Sequence, residues 1–295
     1  MEKKVSVIIP FYNRVDWLCE AVQSVLDQTY KNFEIIVVND GSPENVDDFL
    51  DKYQNKITYF KTENRGPGPT RNLGIEIANG KYVAFLDSDD LWLPNKLEIQ
   101  LKEMEKNNWI WSHCSYSLFN DKNGEFIKNV LVGDFNGDIF IRKFISSPIA
   151  TPCVIIKKSF FSENPTVRFS EKLRFGQDAY LWGIISEMYP LGAINEVLAK
   201  VRIRGSNAGR RARVQLQSRA NTWVNISKRR EDKDPKFLYF PKIPLLLFRL
   251  SFISNKLVYL LEERIKLNSK LAELLSKVLY APIYIGFKTY NITLK

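Results

Sequence analysis

The first 110 residues alternate between two hydrophobic patterns. Short, nearly continuous apolar runs predict buried strands, and apolar residues spaced three and four apart predict amphipathic helices. Buried strands separated by helices are typical of a parallel sheet covered on both faces, so the pattern predicts an α/β fold with a Rossmann-like, mostly parallel sheet. The predicted strands are Val5–Pro10, Phe33–Val38, Ile57–Phe60 and Lys81–Leu86, and the predicted helices are Asp16–Gln28, Thr70–Ala78 and Pro94–Lys106.

The pattern becomes mixed after residue 110 and changes again after Arg204. Residues 205–235 are polar and basic, and an apolar run at Leu245–Phe252 is interrupted only by Arg249. A final helix is predicted over Ser254–Leu279, where leucines recur at steps of three and four. Between residues 110 and 204 the predicted elements are strands at Trp111–Phe119, Glu125–Val132 and Thr151–Lys157, and a helix at Ala179–Glu187.

Charge divides the chain into two unlike parts. The 295 residues carry a net charge of +10, but residues 1–198 hold 22 basic and 27 acidic residues, whereas residues 199–295 hold 21 basic and 6 acidic ones. A basic C-terminal region favours an anionic partner, either a membrane surface or a nucleic acid. Nucleic acid is the weaker alternative, because the sequence contains no zinc-finger or RNA-recognition signature.

The positions of the cysteines and the length of the apolar runs indicate the compartment in which the protein works. Cys19, Cys114 and Cys153 are widely spaced and form no metal-binding or disulfide pattern, which favours small buried thiols in a reducing cytoplasm. No uncharged apolar run reaches the roughly 18 residues that are needed to cross a bilayer. The sequence therefore predicts a protein that touches a membrane surface without crossing the membrane.

An acidic segment, Asp87-Ser88-Asp89-Asp90, follows the fourth predicted strand. Its carboxylates repel one another, and a bound cation relieves that repulsion. Mg²⁺ and Mn²⁺ prefer oxygen ligands and often share them with phosphates. The alternative is an acidic turn that caps the next helix. Because ligands of parallel sheets bind beyond the carboxyl ends of the strands, we expect this segment to lie near Pro10 and Asp40.

The order of several short motifs resembles that of family 2 glycosyltransferases, which have a GT-A fold. The resemblance covers about the first 180 residues and implies a GT-A catalytic domain over residues 1–210. Within it, residues 1–110 form a nucleotide-binding half and residues 111–210 an acceptor-binding half; residues 211–295 form a basic, amphipathic helical C-terminal region. The matching motifs are Val7-Ile8-Ile9-Pro10-Phe11-Tyr12-Asn13, Gln28-Thr29-Tyr30, residues 33–42, Arg71-Asn72-Leu73-Gly74, residues 87–90 and Gln177-Asp178.

The resemblance implies an inverting, single-displacement transfer of a hexose from a nucleotide diphosphate sugar, with a UDP-sugar as the first candidate. The implied acceptor is a glycan or a lipid-linked molecule. Together with the basic tail, the resemblance indicates an enzyme of bacterial surface polysaccharide synthesis. This enzyme is expected in the cytoplasm, bound peripherally to the inner face of the cell membrane. Two other functions remain open: a nucleic-acid-binding protein that uses the tail, and a family member that binds nucleotide sugar without turnover.

The resemblance also assigns residues to the nucleoside part of the donor. Tyr12, beside Pro10, offers a ring on which the base can stack, and Asp40 resembles the residue that accepts a hydrogen bond from the base. Asp87 is similar to the family residue near the ribose. The alternatives are packing for Tyr12 and a helix N-cap for Asp40.

Further residues are assigned to the diphosphate and to a divalent cation, Mn²⁺ or Mg²⁺. Arg71 suits a diphosphate because its guanidinium offers a fork of donors, and Asp89 matches the direct metal ligand. Asp90 either caps the next helix or faces the acceptor. Arg204 stands where family members often carry histidine, so it is expected to hold the diphosphate by charge. The single histidine, His113, is expected to be a hydrogen-bonded core residue.

Asp178 is the candidate general base. Inversion by single displacement needs a carboxylate that removes the acceptor proton on the face opposite the leaving group. The family usually has two adjacent acidic residues here, and this chain has Gln177 before Asp178. The alternative is an ordinary aspartate at a helix start.

The basic tail has three alternative roles. Its leucine row pairs with another copy of the chain, or packs on the catalytic domain, or the whole tail lies on an anionic membrane surface. The basic residues are Arg210, Arg211, Arg213, Arg219, Lys228, Arg229 and Arg230.

Overall fold

The computed structural model describes residues 4–204 and 212–293. The chain divides into two compact units: unit 1 contains residues 1–139 and 148–204, and unit 2 contains residues 140–147 and 205–295. The predicted domain boundary at residue 210, and the basic residues Arg210 and Arg211, lie outside the described residues.

The described residues form strands and helices in the following order. The strands are β1 (Val5–Phe11), β2 (Phe33–Asn39), β3 (Thr58–Lys61), β4 (Tyr82–Phe85), β5 (Leu91–Trp92), β6 (Trp111–Asn120), β7 (Phe126–Val130), β8 (Ile155–Lys157) and β9 (Gly192–Ile203). The helices are α1 (Val15–Leu26), α2 (Asp47–Tyr53), α3 (Pro67–Ile77), α4 (Lys96–Lys106), α5 (Phe140–Ile145), α6 (Lys158–Glu163), α7 (Gln177–Met188), α8 (Ala212–Glu231), α9 (Pro235–Leu238), α10 (Lys242–Arg264) and α11 (Ser269–Ile292).

Unit 1 is built on one sheet with the order β3-β2-β1-β4-β8-β6-β9-β5, and β7 pairs with β6. The pairs β1–β2, β1–β4, β2–β3 and β6–β9 are parallel, whereas β8 is antiparallel to both β4 and β6. Because β8 is antiparallel to both β4 and β6, β6 runs in the same direction as β4. Strand β9 is parallel to β6, so it runs the same way as β1, β2 and β4. The carboxyl ends of these four strands therefore lie at one edge of the sheet.

Alternating residues of the strands fill two separate cores on the two faces of the sheet. Val7 and Ile9 pack with α1 on one face, and Ile8 packs with Ile75 of α3 on the other. This explains the unbroken apolar runs, because both sides of each central strand are buried.

Some predicted elements of unit 1 differ in the structure. Helix α3 begins at Pro67 rather than Thr70, because proline is tolerated in the first turn of a helix. The strand predicted over Thr151–Lys157 is wrong in its first half, where residues 151–153 form a 3₁₀ turn before the short β8. The long strand β9 is not predicted, because polar residues such as Glu196 and Lys200 interrupt its apolar pattern.

Unit 2 is helical and has an aromatic core of its own. Phe140 of α5 contacts Phe237 edge-on at 5.2 Å between ring centroids, and Phe248 of α10 contacts Phe287 of α11 at 4.8 Å. Such pairs stabilise a packed core beyond the area that they bury. Helix α5 belongs to this unit although it lies between β7 and β8 in the sequence.

The single final helix predicted over Ser254–Leu279 is wrong. The chain turns between α10 and α11, where Lys266 has a φ of 52° and Asn268 caps α11 by accepting a hydrogen bond from the Leu271 amide at 3.0 Å. Among residues 4–204 and 212–293, α10 is the helix with the length and composition needed to cross a membrane, with a mean hydropathy of 1.4 over a stretch that is 22% buried.

Candidate active site

A cleft of about 280 Å³ opens at the edge of the sheet where β1, β2, β4 and β9 end. The parallel register sets Phe11 beside Asn39, so the residues that follow β1 and β2 are neighbours. The cleft brings together seven of the eight predicted site residues, from segments far apart in sequence. Its lining residues are Pro10, Phe11, Tyr12, Asn13, Trp17, Asp40, Asn64, Gly66, Pro67, Arg71, Asp87, Ser88, Asp89, Arg174 and Arg204.

Asp40 fixes the loop that precedes α3. Its carboxylate accepts hydrogen bonds from the backbone amides of Arg65 at 2.8 Å and Gly66 at 2.9 Å. Gly41 has a φ of 70°, and a Cβ there would lie 2.6 Å from the Asn64 nitrogen, so only glycine lets the loop approach this closely. The alternative in which Asp40 caps the next helix is wrong, because α2 begins after Val46.

Two aromatic side chains line the cleft in different ways. Tyr12 is 42% exposed, so its ring is available to a ligand, whereas Trp17 of α1 is buried. The guanidinium groups of Arg14, Arg202 and Arg204 lie 4.6, 4.8 and 5.7 Å from the Trp17 ring centroid. Cations over a tryptophan ring are attracted by its π-electrons, so Trp17 holds positive charge at this side of the cleft.

Arg71 of α3 is buried and carries unsatisfied donors. Its Nη2 donates to Asp87 Oδ1 at 2.5 Å, and its guanidinium lies 5.3 Å from the Phe169 ring centroid. Within the described part of the chain, the Nε and Nη1 atoms of Arg71 have no hydrogen-bond partner. A buried, unsatisfied guanidinium donor is costly, so this side chain is suited to an anionic ligand in the cleft.

Asp89 is held by two arginines of the β9 end. Arg204 Nη2 donates to its Oδ2 at 2.8 Å, and Arg202 Nε donates to its backbone carbonyl oxygen at 2.8 Å. Burial raises the pKa of Asp89, the charge of Asp87 raises that pKa further, and Arg204 opposes both effects. The acidic segment therefore carries more negative charge than its surroundings favour, which is the condition that attracts a cation.

The donors present fit a divalent cation only in part. No group of three or more His, Cys, Asp or Glu side chains that could hold a metal ion occurs among residues 4–204 and 212–293. Asp87 and Asp89 supply carboxylate oxygens at the cleft wall, and each is also paired with an arginine. Mg²⁺ is commonly bound by one or two carboxylates together with water and substrate phosphates. The two aspartates therefore fit such a cation when a phosphate ligand completes the set.

Asp90 neither caps a helix nor lines the cleft. It is buried, and its Oδ1 accepts a hydrogen bond from the backbone amide of Arg202 at 2.8 Å. Helix α4 begins after Asn95 instead. Burial, followed by the charges of Asp89 and Asp87, raises the pKa of Asp90 well above its ordinary value. Its position indicates a structural role in joining the acidic segment to β9.

His113 is a buried residue of β6, as predicted. Its Nε2 lies 2.9 Å from the carbonyl oxygen of Phe135. Burial lowers the pKa of His113 to about 4, so the ring is neutral near pH 7. Cys114 and Cys153 are likewise buried and free, and Cys19 is partly buried.

Asp178 lies in the first turn of α7 and is not among the residues that line the cleft. Its Oδ1 accepts a hydrogen bond from the Ala179 amide at 2.7 Å, and its Oδ2 accepts one from Thr151 Oγ1 at 3.3 Å. The role of general base stays a prediction.

Several cleft residues have no counterpart in the sequence predictions. Trp17 belongs to the apolar stripe of α1, so its spacing predicts a core residue and gives no sign that it also lines the cleft. Gly66 and Pro67 carry a recognisable signal, because a glycine and proline loop before a helix is typical of ligand-binding turns. Arg174 is an exposed loop residue without any motif around it.

The sequence matches a protein-family model and several known proteins. Residues 6–163 match the model of glycosyl transferase family 2. An uncharacterized glycosyltransferase of Rickettsia bellii is 48% identical over 208 residues, which cover 70% of this chain and 30% of that protein. Glycosyltransferase GlyG of Streptococcus pneumoniae is 32% identical over 195 residues, which cover 61% and 64% of the two chains.

The fold also matches solved structures. A crystal structure of residues 1–349 of Staphylococcus aureus TarS superposes with a TM-score of 0.62 at 18% identity, and the match covers 96% of this chain and 80% of that one. Other crystal structures of the same protein hold UDP or UDP-GlcNAc. At this identity the likeness concerns the fold alone, and it confirms the predicted α/β GT-A fold with a helical C-terminal region.

The family assignment rests on more than half of the chain. This chain spans about a third of the length of three Rickettsia relatives that are 47–48% identical to it. The family match over residues 6–163 confirms the resemblance first indicated by the motifs. The chain belongs to glycosyl transferase family 2.

Proposed function

We propose that this protein is an inverting glycosyltransferase that moves a hexose from a nucleotide diphosphate sugar to a glycan or lipid-linked acceptor. The observation that carries the proposal is the cleft, in which an exposed tyrosine, three aspartates and buried Arg71 with unsatisfied donors converge at the ends of parallel strands. This combination suits a ligand with an aromatic base, polar ribose hydroxyls and a diphosphate.

Each part of the donor, the base, the ribose and the diphosphate, is proposed to bind a different set of residues. Tyr12 offers its ring to the base, with Pro10 beside it, and Asp40 offers a carboxylate oxygen to a base N–H. Asp87, at the cleft wall, offers a carboxylate oxygen to a ribose hydroxyl. Arg71 and Arg204 supply guanidinium donors to the diphosphate, whose negative charge grows as the bond to the sugar breaks.

A UDP-sugar is the first donor to test, because the TarS structures that share this fold hold UDP and UDP-GlcNAc. The proposed setting is bacterial surface polysaccharide synthesis at the inner face of the cell membrane. It is supported by the basic C-terminal region and by the bacterial relatives.

A divalent cation, Mn²⁺ or Mg²⁺, is proposed to bind through Asp89, with Asp87 nearby. When bound, it neutralises negative charge on the departing nucleoside diphosphate. Arg204 already pairs with Asp89, so this arginine contributes positive charge at the same place whether or not a cation is present.

Asp178 is proposed as the general base that takes the proton of the acceptor hydroxyl. It lies in the first turn of α7, outside the residues that line the nucleotide cleft, as expected of a group that acts on the acceptor. The sugar then leaves the nucleotide with inversion, because the acceptor attacks from the opposite face.

The test is calorimetric titration of the purified protein with UDP, GDP, dTDP and CDP, each with and without Mn²⁺. We expect selective binding of one nucleotide, strengthened by Mn²⁺ in the wild type and much less in Asp89→Ala. The matched control is Asp51→Ala, which removes an exposed carboxylate on α2, away from the cleft. Absence of binding by every nucleotide would contradict the proposal, and unchanged Mn²⁺ dependence in Asp89→Ala would contradict the metal role.

A further inference from the structure

Helix α10 of unit 2 carries an exposed apolar stripe with a strict repeat. Six apolar residues follow one another at alternating steps of three and four, and each is between 39% and 57% exposed. This spacing places them along one side of a helix. They are Ile243, Leu246, Leu250, Ile253, Leu257 and Leu260.

Helix α11 carries a second stripe with the same repeat. Its apolar members are between 48% and 67% exposed, apart from the small Ala281, which is also exposed. Lys288 occupies the one polar position of the series. The apolar members are Leu271, Leu274, Val278, Ala281, Ile285 and Ile292.

These stripes are distinct from the core of unit 2. The buried residues of α10, such as Phe248 and Val258, and those of α11, such as Ile283 and Phe287, lie on the other sides of the helices and pack together. The core of unit 2 therefore does not account for either row. Exposed apolar residues in such a regular arrangement mark an interaction surface.

Basic residues run beside both stripes. On α10, Lys242, Arg249 and Lys256 each precede a stripe residue and recur every seven positions, and on α11 Lys270 and Lys277 do the same. Among residues 242–293, the exposed charged side chains are eight basic ones and one acidic one, Glu263. An apolar row bordered by basic residues is complementary to a lipid surface with anionic headgroups.

We propose that α10 and α11 bind the surface of an anionic bilayer through these two stripes and their basic rows. The charge argues against a second copy as the occupant, because residues beside an apolar seam face their counterparts across a helical pair, and here most of them are basic. Crossing the bilayer is also disfavoured, because Arg249 and Lys256 would enter the hydrocarbon and the opposite side of α10 would leave its core.

The experiment is flotation of the full chain with phosphatidylcholine vesicles, with and without phosphatidylglycerol. We expect binding only to the anionic vesicles, and release near 1 M salt, where the screening length is about 3 Å. The triple variant Lys242→Gln/Arg249→Gln/Lys256→Gln is expected to bind roughly 100- to 200-fold more weakly, since each basic residue near such a surface contributes about fivefold. Leu246→Gln/Ile253→Gln is expected to weaken binding at least about tenfold, because two anchoring side chains become polar.

Matched controls on unit 1 remove the same chemical groups elsewhere. Lys56→Gln/Lys61→Gln/Lys102→Gln removes three exposed lysines, and Ile127→Gln/Leu131→Gln replaces two exposed apolar residues. Both controls should bind like the wild type, and thermal unfolding should show that every variant is folded. The proposal is overturned if the wild type does not bind anionic vesicles, or if the α10 variants bind as well as the controls. A concentration-dependent dimer in light scattering that Leu246→Gln/Ile253→Gln abolishes, without vesicle binding, would assign the stripes to a second copy.

Discussion

The side chains of Arg71 and Arg204 change the interpretation of the acidic segment, residues 87–90, as a cation site. From the sequence, three carboxylates in four positions indicate a cation site, because their mutual repulsion needs relief. In the structure, Arg71 pairs with Asp87 and Arg204 pairs with Asp89, while Asp90 turns away to the β9 backbone. Two of the three carboxylates therefore already have an arginine partner, and a cation would add to an existing arrangement instead of creating it.

Replacing Asp178 by asparagine should slow sugar transfer and leave nucleotide binding nearly unchanged. Removing a general base slows catalysis by about 10²–10⁴-fold, whereas the nucleotide cleft does not include Asp178, so nucleotide affinity should stay nearly unchanged. Transfer is measured with the donor identified by titration, and affinity with the free nucleotide. Glu187→Gln, at the other end of α7, is the control for lost negative charge. Equal losses of transfer and affinity would contradict the assignment.

His113 gives a pH-dependent contribution to stability. Burial lowers its pKa to about 4, below the ordinary value of about 6.5, so the unfolded chain binds a proton that the folded chain rejects between these values. The contribution is therefore complete above about pH 6.5 and is lost as the pH falls towards 4, by up to about 3 kcal/mol.

Urea unfolding at several pH values compares the wild type with His113→Gln, which retains a donor for the Phe135 carbonyl group. The wild type should lose more stability than the variant on going from about pH 7 to about pH 4. Parallel pH profiles for the two proteins would show that the histidine does not titrate in this way.

The close approach of α3 to β1 positions Arg71. Gly74 is what permits it, because a Cβ at this position would lie 2.4 Å from Ile8 Cγ2. The loop before α3 is held at the end of β2 by the hydrogen bonds from the Arg65 and Gly66 amides to Asp40. The motif Arg71-Asn72-Leu73-Gly74 thus combines the side chain that is proposed to bind the diphosphate with the glycine that allows its helix to pack.

Gly74→Ala should destabilise the protein by about 1–3 kcal/mol through overpacking and should weaken nucleotide binding by displacing Arg71. Ile8→Ala alone leaves a cavity and costs about 2–5 kcal/mol. In the double variant the new methyl group occupies part of that cavity, so the loss should be smaller than the sum of the two.

Chemical denaturation of the four proteins measures this coupling, and titration measures the binding. Glu76→Ala, at an exposed position of the same helix, should change stability by no more than about 0.5 kcal/mol. Strict additivity of Gly74→Ala and Ile8→Ala would mean that this contact does not set the position of α3.

For the whole molecule, each unit has hydrophobic cores of its own. Unit 1 is packed on both faces of a sheet, and unit 2 is packed around phenylalanine rings of α5, α9, α10 and α11. Separate cores allow separate unfolding, because a cooperative transition extends only as far as continuous packing does.

Calorimetric heating of the full chain should therefore show two transitions. A bound nucleotide at about 100 times its dissociation constant stabilises the folded form that binds it by about 2.7 kcal/mol, so only the transition of unit 1 should move to higher temperature. The membrane-surface variants of α10 serve as the converse control and should leave the unit 1 transition unchanged. One transition that moves as a whole would contradict independent unfolding.

The amino-acid sequence was enough to predict the alternation of strands and helices in the first 110 residues and the polar residues at the strand ends. Both follow from local patterns: burial of a strand on two faces requires unbroken apolar runs, and chain order in a parallel sheet brings the strand ends to one edge. It also indicated the family, which the comparison confirms.

Which of those residues contact each other follows from the folded chain and not from local sequence. Three of these contacts depend on β9, a strand that was not predicted because polar residues interrupt its apolar pattern. They are the pairing of Arg204 with Asp89, the hydrogen bond from the β9 backbone to Asp90, and the contact of Arg204 with the Trp17 ring. The leucine spacing also did not predict the break between α10 and α11, because the leucine repeat continues across the turn although the helix does not. Such contacts join residues more than a hundred positions apart, and local hydrophobic pattern carries no information at that distance.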